Sequence, residues 1–337
     1  VEYDRGVLIT PDGQQLRATF SDPEQRAQIA EHCLGDTLRN GILADAGFFF
    51  GPKSFYAGLR ELPAVERKMF AMRGISFVNE VYGHEWELKV AQRRYARFVN
   101  TTMMVTGLGA AVSDALADGR VVSGVGGQYN FVAMAHALPE ARSILCLRAT
   151  RTADGATSSN VVWSYGHATI PRHLRDIVVT EYGIADLRGR TDREIVEALV
   201  GIMDARFQRA FVGEAQRAGK LPKDWRIPDA ARANTPEQIA EKFSPWRERG
   251  LFAELPFGTD FTAEEIVLSK ALRSLQAASQ SWPGRMRLAV DALFNGSPVA
   301  AVQPHLARMG LAQAGSLSQV VQRRLITTVL RKILHNA

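Results

Sequence analysis

Val121-Val122-Ser123-Gly124-Val125-Gly126-Gly127-Gln128, continued through Tyr129 to Ala137 and followed by Ile144-Leu145-Cys146-Leu147-Arg148-Ala149, is the stretch on which the fold turns. Asp118-Gly119 makes a turn, and Arg120 to Ser123 then reads as a short strand that runs into glycines. Gln128 to Ala137 can form a helix. Ile144 to Ala149 is apolar apart from Arg148, as strands buried on both faces tend to be. Strand, glycine turn, helix and buried strand, in that order, describe one unit of a parallel sheet.

The same texture extends outward. Asn160 to Tyr165 and Ile177 to Thr180 repeat the buried-strand type, and Thr191-Asp192-Arg193-Glu194 is a capping box opening a helix with Ile195, Leu199 and Ile202 on one face. Upstream, Ser21 and Asp22-Pro23-Glu24 mark the start of a helix reaching toward Arg39. Ile42 to Phe50 reads as a strand, with Gly47 to Pro52 as a buried one ending in a turn. Ser54 to Leu62 reads as an amphipathic helix, and Ile75 to Val78 as a short β segment. After about Asn234 the pattern becomes helical. Starts fall at Thr235-Pro236-Glu237 and Thr262-Ala263-Glu264-Glu265, and breaks at Ser244-Pro245-Trp246 and Leu255-Pro256-Phe257-Gly258. A last helix over 317–334 is capped by Ser316. The expected fold is α/β, a layered arrangement with a largely parallel sheet plus a mostly helical C-terminal tail. Its divisions are residues 1–70 ahead of the core, an α/β domain over 71–233, and the tail over 234–337.

Composition bounds the function. The 337 residues are 46% hydrophobic and 23% charged, which leaves room for one large or two modest cores. No apolar run approaches the roughly 20 residues of a membrane helix, so no membrane partner is expected. Cys33 and Cys146 form no CxxC or metal pattern. Cys146 sits in a strand-like run as an expected buried thiol, and a reduced, cytoplasmic compartment follows. His84, Glu85 and Glu87 lack a third ligand at metal spacing, so no metal is expected. The net charge is +6 with the positive residues spread out and no run of about five Lys and Arg, and the stretch holding Arg93 and Arg94 has helical spacing as a solvated face. No nucleic-acid partner is therefore expected, whereas a basic excess suits a polyanionic small ligand such as a coenzyme carrying a pyrophosphate and a further phosphate. The chain opens on Val1 without a leader and is expected to be part of a larger protein.

Ser123 to Gln128 lies between strand and helix, where glycine permits close backbone approach and a helix N-terminus offers N–H groups and partial positive charge to an anion. It does not complete the dinucleotide pattern GxGxxG, because Tyr129 fills the last glycine's place. An oxidoreductase would also need an acid about 20 residues on; Glu140 comes too early and Ser143 to Cys146 offers none.

Val122-Ser123-Gly124-Val125-Gly126-Gly127-Gln128-Tyr129-Asn130-Phe131 resembles a motif of the acetyl-CoA hydrolase/transferase family, which includes the 4-hydroxybutyrate CoA-transferases. Val178-Val179-Thr180-Glu181-Tyr182-Gly183-Ile184-Ala185-Asp186-Leu187-Arg188-Gly189 is similar to a second family signature. Phe98-Val99-Asn100-Thr101-Thr102 and Ile75-Ser76-Phe77-Val78-Asn79-Glu80 are similar to two more, in the family's order. The resemblance implies the C-terminal part of a two-domain enzyme of CoA-transferase-like fold, an expected homo-oligomer. Its substrates would be a short acyl-CoA and a carboxylate or water, with coenzyme A as substrate and no permanently bound cofactor. The implied chemistry is ping-pong through a glutamyl anhydride and a glutamyl-CoA thioester. In the family that glutamate follows a glycine-aliphatic-histidine-(Ser/Thr) run, which does not occur here. Glu24 and Glu31 read as solvated helix charges, and Gly83-His84-Glu85 falls on the wrong side of the matched blocks. The nucleophile and an N-terminal CoA-transferase domain are thus expected upstream, the alternative being a non-catalytic CoA-binding or regulatory fragment.

The candidate site residues follow from the same positions. Gly126 and Gly127 are candidates for backbone contacts to an oxyanion or thioester, with Gly124 beside them, and Gln128 binds substrate or caps the helix. Asn100 orients the nucleophile or is a buried structural amide. Asn130 stands where the family usually has an aspartate, which weakens a general-base role. Arg172 and Arg175 pair with CoA phosphates or flank a strand, and Thr150 to Ser159 is a polar loop lining a CoA channel or facing solvent. With no GxSxG elbow for a serine hydrolase, His167 and His173 are not triad members, and His167 is a positioning or structural residue.

Overall fold

The computed structural model describes residues 1–36, 41–83, 85–153 and 155–335, so Arg39 and His84 lie outside the described residues. The chain divides into two compact units, Val1–Val78 and Asn79–Ala337.

In the first unit, β1 (Glu2–Asp4), β2 (Val7–Ile9) and β3 (Gln15–Arg17) form an antiparallel meander. Helix α1 (Pro23–Cys33) starts where the Asp22 carboxylate accepts from the Glu24 and Gln25 amides, with proline at its first position. Glu24 and Glu31 are exposed on it. Strand β4 (Ala44–Ala46) pairs in parallel with β5 (Phe70–Met72) across α2 (Lys53–Glu61) and α3 (Ala64–Arg67). The strand expected over Ile42 to Phe50 is thus three residues long, and Phe48 and Phe50 are 70% and 89% exposed rather than buried. Pairing stops where Gly47 follows, and the chain turns at Gly51-Pro52 into α2. The β segment expected at Ile75 to Val78 is helical, α4 (Ile75–Asn79). No described strand pairs with it, and the Phe77 and Val78 amides bond back to the Gly74 carbonyl, so local bonds override β-branched composition.

The second unit continues with α5 (Trp86–Gln92), β6 (Arg97–Thr101), β7 (Met104–Thr106), β8 (Ala111–Val112), α6 (Gln128–Ala137), β9 (Arg142–Cys146), β10 (Thr150–Ala153), β11 (Ala156–Ser159), β12 (Val161–Val162), β13 (Ile177–Thr180) and β14 (Gly183–Asp186). Its main sheet has the order β14-β13-β9-β6. There β6, β9 and β13 run parallel while β14 returns antiparallel through a tight hairpin. A smaller sheet, β12-β7-β8, is likewise mixed, and β10–β11 is a hairpin. The sheets are therefore of mixed orientation instead of largely parallel, because hairpins alternate with the one helical crossover, α6. The strand expected at Arg120 to Ser123 is absent. A single bridge, Ala115 to Val121, closes the turn around Gly119, and the Val122 and Ser123 amides hang from the Asp114 carbonyl.

Helix α7 (Asp192–Gly201) begins with the capping box between Thr191 and Glu194 and is followed by α8 (Ala205–Arg217) and the short α9 (Asp229–Arg232). Ile195, Leu199, Leu187 and Ile170 are fully buried with Val178 and Phe211 in the main core. Each such side chain contributes about 1.5–3 kcal/mol. From Pro236 onward the described elements are helical: α10 (Pro236–Glu248), α11 (Ala263–Ser279), α12 (Trp282–Asn295), α13 (Gln303–Arg308) and α14 (Leu317–His335), besides one short 3-10 turn. Pro245 lies inside α10 rather than breaking it. Leu268, Leu306 and Leu330 centre a separate apolar cluster among α11, α13 and α14. Cys33 and Cys146 are free and half-buried, so the Cys146 thiol is less enclosed than its strand position suggested. No described helix is long and apolar enough to cross a membrane.

Candidate functional site

In a sheet with parallel strands, ligands bind outside the carboxyl ends of those strands, where loops diverge and helix N-termini point. Here those ends carry Thr102 after β6, Arg148 after β9 and Glu181 after β13. All three line a cavity of about 750 Å³ with Met104, Arg151 and Tyr165. Thr150, Arg151 and Thr152 of β10 wall it; within the polar loop expected over Thr150 to Ser159, Thr150–Ala153 and Ala156–Ser159 are paired strands. Asn160 fixes that wall. Its Nδ2 donates to the Arg148 carbonyl at 2.9 Å, and its Oδ1 accepts from Arg151 Nη1 at 2.8 Å.

Glu181 stands in the two-residue turn joining β13 to β14. Its neighbour Tyr182 anchors the turn: the phenol donates to Asp204 Oδ2 at 3.0 Å, and burial followed by that carboxylate pushes its pKa above the ordinary value. Glu181 Oε2 in turn accepts from the Ala149 amide at 2.8 Å, tying the end of β13 to the end of β9 and holding a carboxylate at the cavity.

Next to this cavity, α6 delivers its N-terminus to the end of β6. Phe98 of β6 stacks on Phe131 of α6 with ring centroids 5.9 Å apart, which fixes the register between strand and helix. Asn100, two residues beyond Phe98, lies on the same face of β6. Gln128 is buried and its Nε2 donates to the Thr101 carbonyl at 3.1 Å. Two buried amide atoms here have no hydrogen-bond partner among the described residues, Asn100 Nδ2 and Gln128 Oε1. A donor and an acceptor left unspent in a buried place are costly, about 1–3 kcal/mol each, and are polar atoms that a ligand's own donor or acceptor can satisfy.

The glycines divide by role. Gly126 has φ +58° and open space where a Cβ would stand; Gly124 is also open. A Cβ on Gly127 would instead lie 2.8 Å from Asn79 Nδ2 and 3.0 Å from the Phe131 ring. Asn79, from the block Ile75 to Glu80, is thereby brought to the glycine loop. Neither it nor Glu181 was singled out from the sequence, although both fall in matched motifs.

Other candidates lie elsewhere. His167 Nε2 bonds Asp114 Oδ1 at 2.8 Å, and the Thr169 hydroxyl donates to the same oxygen; the Thr169 hydroxyl and then the His167 ring hold the Asp114 pKa below its ordinary value. The pair lies beneath the loop whose Val122 and Ser123 amides bond the Asp114 carbonyl. Asn130 is half-buried on α6, and Glu85 is exposed at the start of α5. Arg172 is not near the glycine loop. It precedes β13 with Arg175, beside His136 at the far end of α6. His136 stands eight residues along that helix from Gln128, about 12 Å at 1.5 Å per residue. Among the described residues no group of three or more His, Cys, Asp or Glu is placed to hold a metal ion.

Residues 51–215 match the family profile described as the acetyl-CoA hydrolase/transferase C-terminal domain. Over that stretch the chain is similar to the C-terminal domain of this family. A probable butyrate:acetyl-CoA coenzyme A-transferase of Syntrophomonas wolfei is 38% identical over 101 residues, 29% of this chain and 23% of the relative. A 4-hydroxybutyrate coenzyme A transferase of Clostridium kluyveri is 26% identical over 171 residues, 50% of this chain and 37% of the relative. The crystal structure of RipA from Yersinia pestis is similar at 26% identity and a TM-score of 0.44, over 53% of this chain and 38% of that one. The chain thus spans less than two fifths of the length of each of these relatives.

Proposed function

We propose that this chain supplies the coenzyme-handling part of an acyl-CoA hydrolase or CoA-transferase of CoA-transferase-like fold, acting on a short acyl-CoA with a carboxylate or water as acceptor. The observation that carries the reading is the meeting of Asn100, Gly126, Gly127 and Gln128, with unspent buried amide atoms, beside the cavity at the strand ends.

In the proposed reaction a glutamate oxygen attacks the thioester carbonyl carbon, the C–S bond breaks, and the coenzyme leaves as thiolate. The thiolate then attacks the glutamyl carbonyl of the anhydride, giving a glutamyl thioester and releasing the acyl group as a carboxylate. The acceptor attacks this thioester in its turn and expels the coenzyme as thiolate. A carboxylate gives a second anhydride, whose acyl carbonyl the thiolate attacks to form the new acyl-CoA and free the glutamate, whereas water frees glutamate and coenzyme directly. Each attack places negative charge on a carbonyl oxygen. Asn100 Nδ2 and the amides at the start of α6 are donors suited to hold it, and removing one such donor typically lowers kcat about 10²–10³-fold. The open side of Gly126 leaves room for the thioester against the backbone. The attacking glutamate is taken to lie outside this chain, because no glycine-aliphatic-histidine-(Ser/Thr)-glutamate run occurs in it.

The test is to mix the chain with acetyl-CoA, reduce with borohydride and map the peptides by mass spectrometry, with calorimetry of CoA binding in parallel. Binding without any glutamyl adduct is expected. An adduct on Glu181, or on another glutamate of the chain, overturns the assignment of the nucleophile elsewhere; absence of CoA binding overturns the reading as a whole.

A further inference from the structure

At the amino end of the main sheet, opposite the acyl-CoA cavity, a second cavity of about 510 Å³ is lined by His136, Arg172, His173, Arg175, Arg188 and Asp192, with Gly189 at its rim. Three guanidiniums and two imidazoles face a single carboxylate, and that one is already held by Lys220 Nζ at 2.6 Å. The remaining positive charge is poorly compensated. Among the described residues, the Arg172 guanidinium is paired to no carboxylate, and the Arg175 guanidinium donates to the carbonyls of Arg172 and Arg190. Arg188 is tied down on one side, Nη1 donating to the Ala141 carbonyl at 2.8 Å and Nη2 to the buried Asp176. Its Nε is buried with no partner among the described residues. Gly189 has φ +73° with nothing within 4 Å of where a Cβ would stand, so its backbone admits close approach.

We infer that this cavity, at the end of the sheet away from the acyl-transfer cavity, binds a phosphate group. A concave wall of one sign concentrates the field on an anion, and guanidinium forks match the oxygens of phosphate in charge and geometry. The site does not rest on the N-terminus of α7, where the Glu194 amide is already taken by Thr191 Oγ1. Arg172 and His173 are exposed at the start of the 3-10 turn before β13 and are free to close on the anion, while Arg188 is fixed by Asp176 and supplies a preset donor.

The experiment titrates inorganic phosphate into the full chain by calorimetry, at ionic strength held constant with chloride, and repeats this for Arg172→Gln, Arg172→Gln/His173→Gln and Arg190→Gln. Arg190 is a neighbouring arginine that does not line the cavity, and its guanidinium sits 3.6 Å from Glu194. Phosphate should bind the wild type and the Arg190 variant alike. Loss of one charge-assisted bond, worth about 1.5–3 kcal/mol, should weaken binding about tenfold or more in the Arg172 variants. Circular dichroism should show those variants folded, since Arg172 is exposed. No binding beyond chloride, or equal weakening in Arg190→Gln, overturns the inference. Competition by CoA and by dephospho-CoA identifies the source. Displacement by CoA alone makes the coenzyme's 3′-phosphate the occupant, and displacement by neither makes it an independent phosphate; either result upholds the site.

Discussion

Gly126 and Gly119 make a matched pair for testing the glycine loop. Both are exposed, both have left-handed backbone (φ +58° and +84°), and both have open space where a Cβ would go. Replacing either by alanine should therefore cost the same backbone strain, about 1–2 kcal/mol for an L-residue in this region. In a folded unit of this size that lowers the melting temperature by roughly 2–8 °C. Only Gly126 adjoins the N-terminus of α6 and the unspent amides of Asn100 and Gln128. A methyl group there stands where the thioester would approach, and the isopropyl group of Gly126→Val fills more of the same space. The expected result is equal melting shifts for Gly126→Ala and Gly119→Ala, with CoA affinity unchanged in Gly119→Ala and progressively weaker in Gly126→Ala and Gly126→Val. Scanning fluorimetry and calorimetric titration read the two effects separately. Unchanged CoA affinity in a folded Gly126→Val protein, or equal losses at both positions, would refute the reasoning and leave the loop a structural turn.

Two further predictions concern the sheet's amino end. Asp176 is buried and receives Arg142, Arg188 and the Ser143 amide. Asp176→Asn should destabilise the protein by about 3–5 kcal/mol, visible as a lower urea midpoint, because two arginines lose their shared counter-charge; a midpoint within error of the wild type would contradict this. His136 has its pKa lowered from 6.5, first by burial and then by the neighbouring Arg188. Below pH 6.5 the unfolded chain takes up a proton that the folded chain resists, so stability is full above that pH and falls as the pH drops toward the depressed value. His136→Gln should flatten that part of the profile of urea midpoint against pH, and an unaltered slope below pH 6.5 would count against it.

The helix starts were legible because caps are local. Asp22, Thr191, Thr262 and Ser316 each accept from amides of the turn they open, and nothing distant is needed. Strand β13 was legible for a similar reason, since Ile177 to Thr180 is a β-branched run with one face buried and the other half-buried. Strands that depend on a partner were not. Ile75 to Val78 and Arg120 to Ser123 have β-forming composition, yet no described strand comes alongside, and local turns win. In the candidate site, the motif residues Asn100, Gly127 and Gln128 meet because one strand and the helix packed on it carry them all. Arg172 stands apart because its distance from the loop is set by the length of α6, which sequence order does not reveal. Asn79 and Glu181 went unremarked because an asparagine at a helix end and a glutamate in a hairpin carry no local mark of their chemistry; only the tertiary meeting with Gly127 and Ala149 gives them one.

The central claim, that the carboxyl ends of β6, β9 and β13 with the N-terminus of α6 form the coenzyme's acyl-transfer cavity, is tested most directly by hydrogen exchange with and without CoA. Peptides covering 101–104, 124–130 and 148–152 should exchange more slowly in the presence of CoA, and should revert toward the free rate in Gly126→Val. Protection confined to the helices beyond residue 235, or CoA binding with no protection at those three segments, would contradict the account.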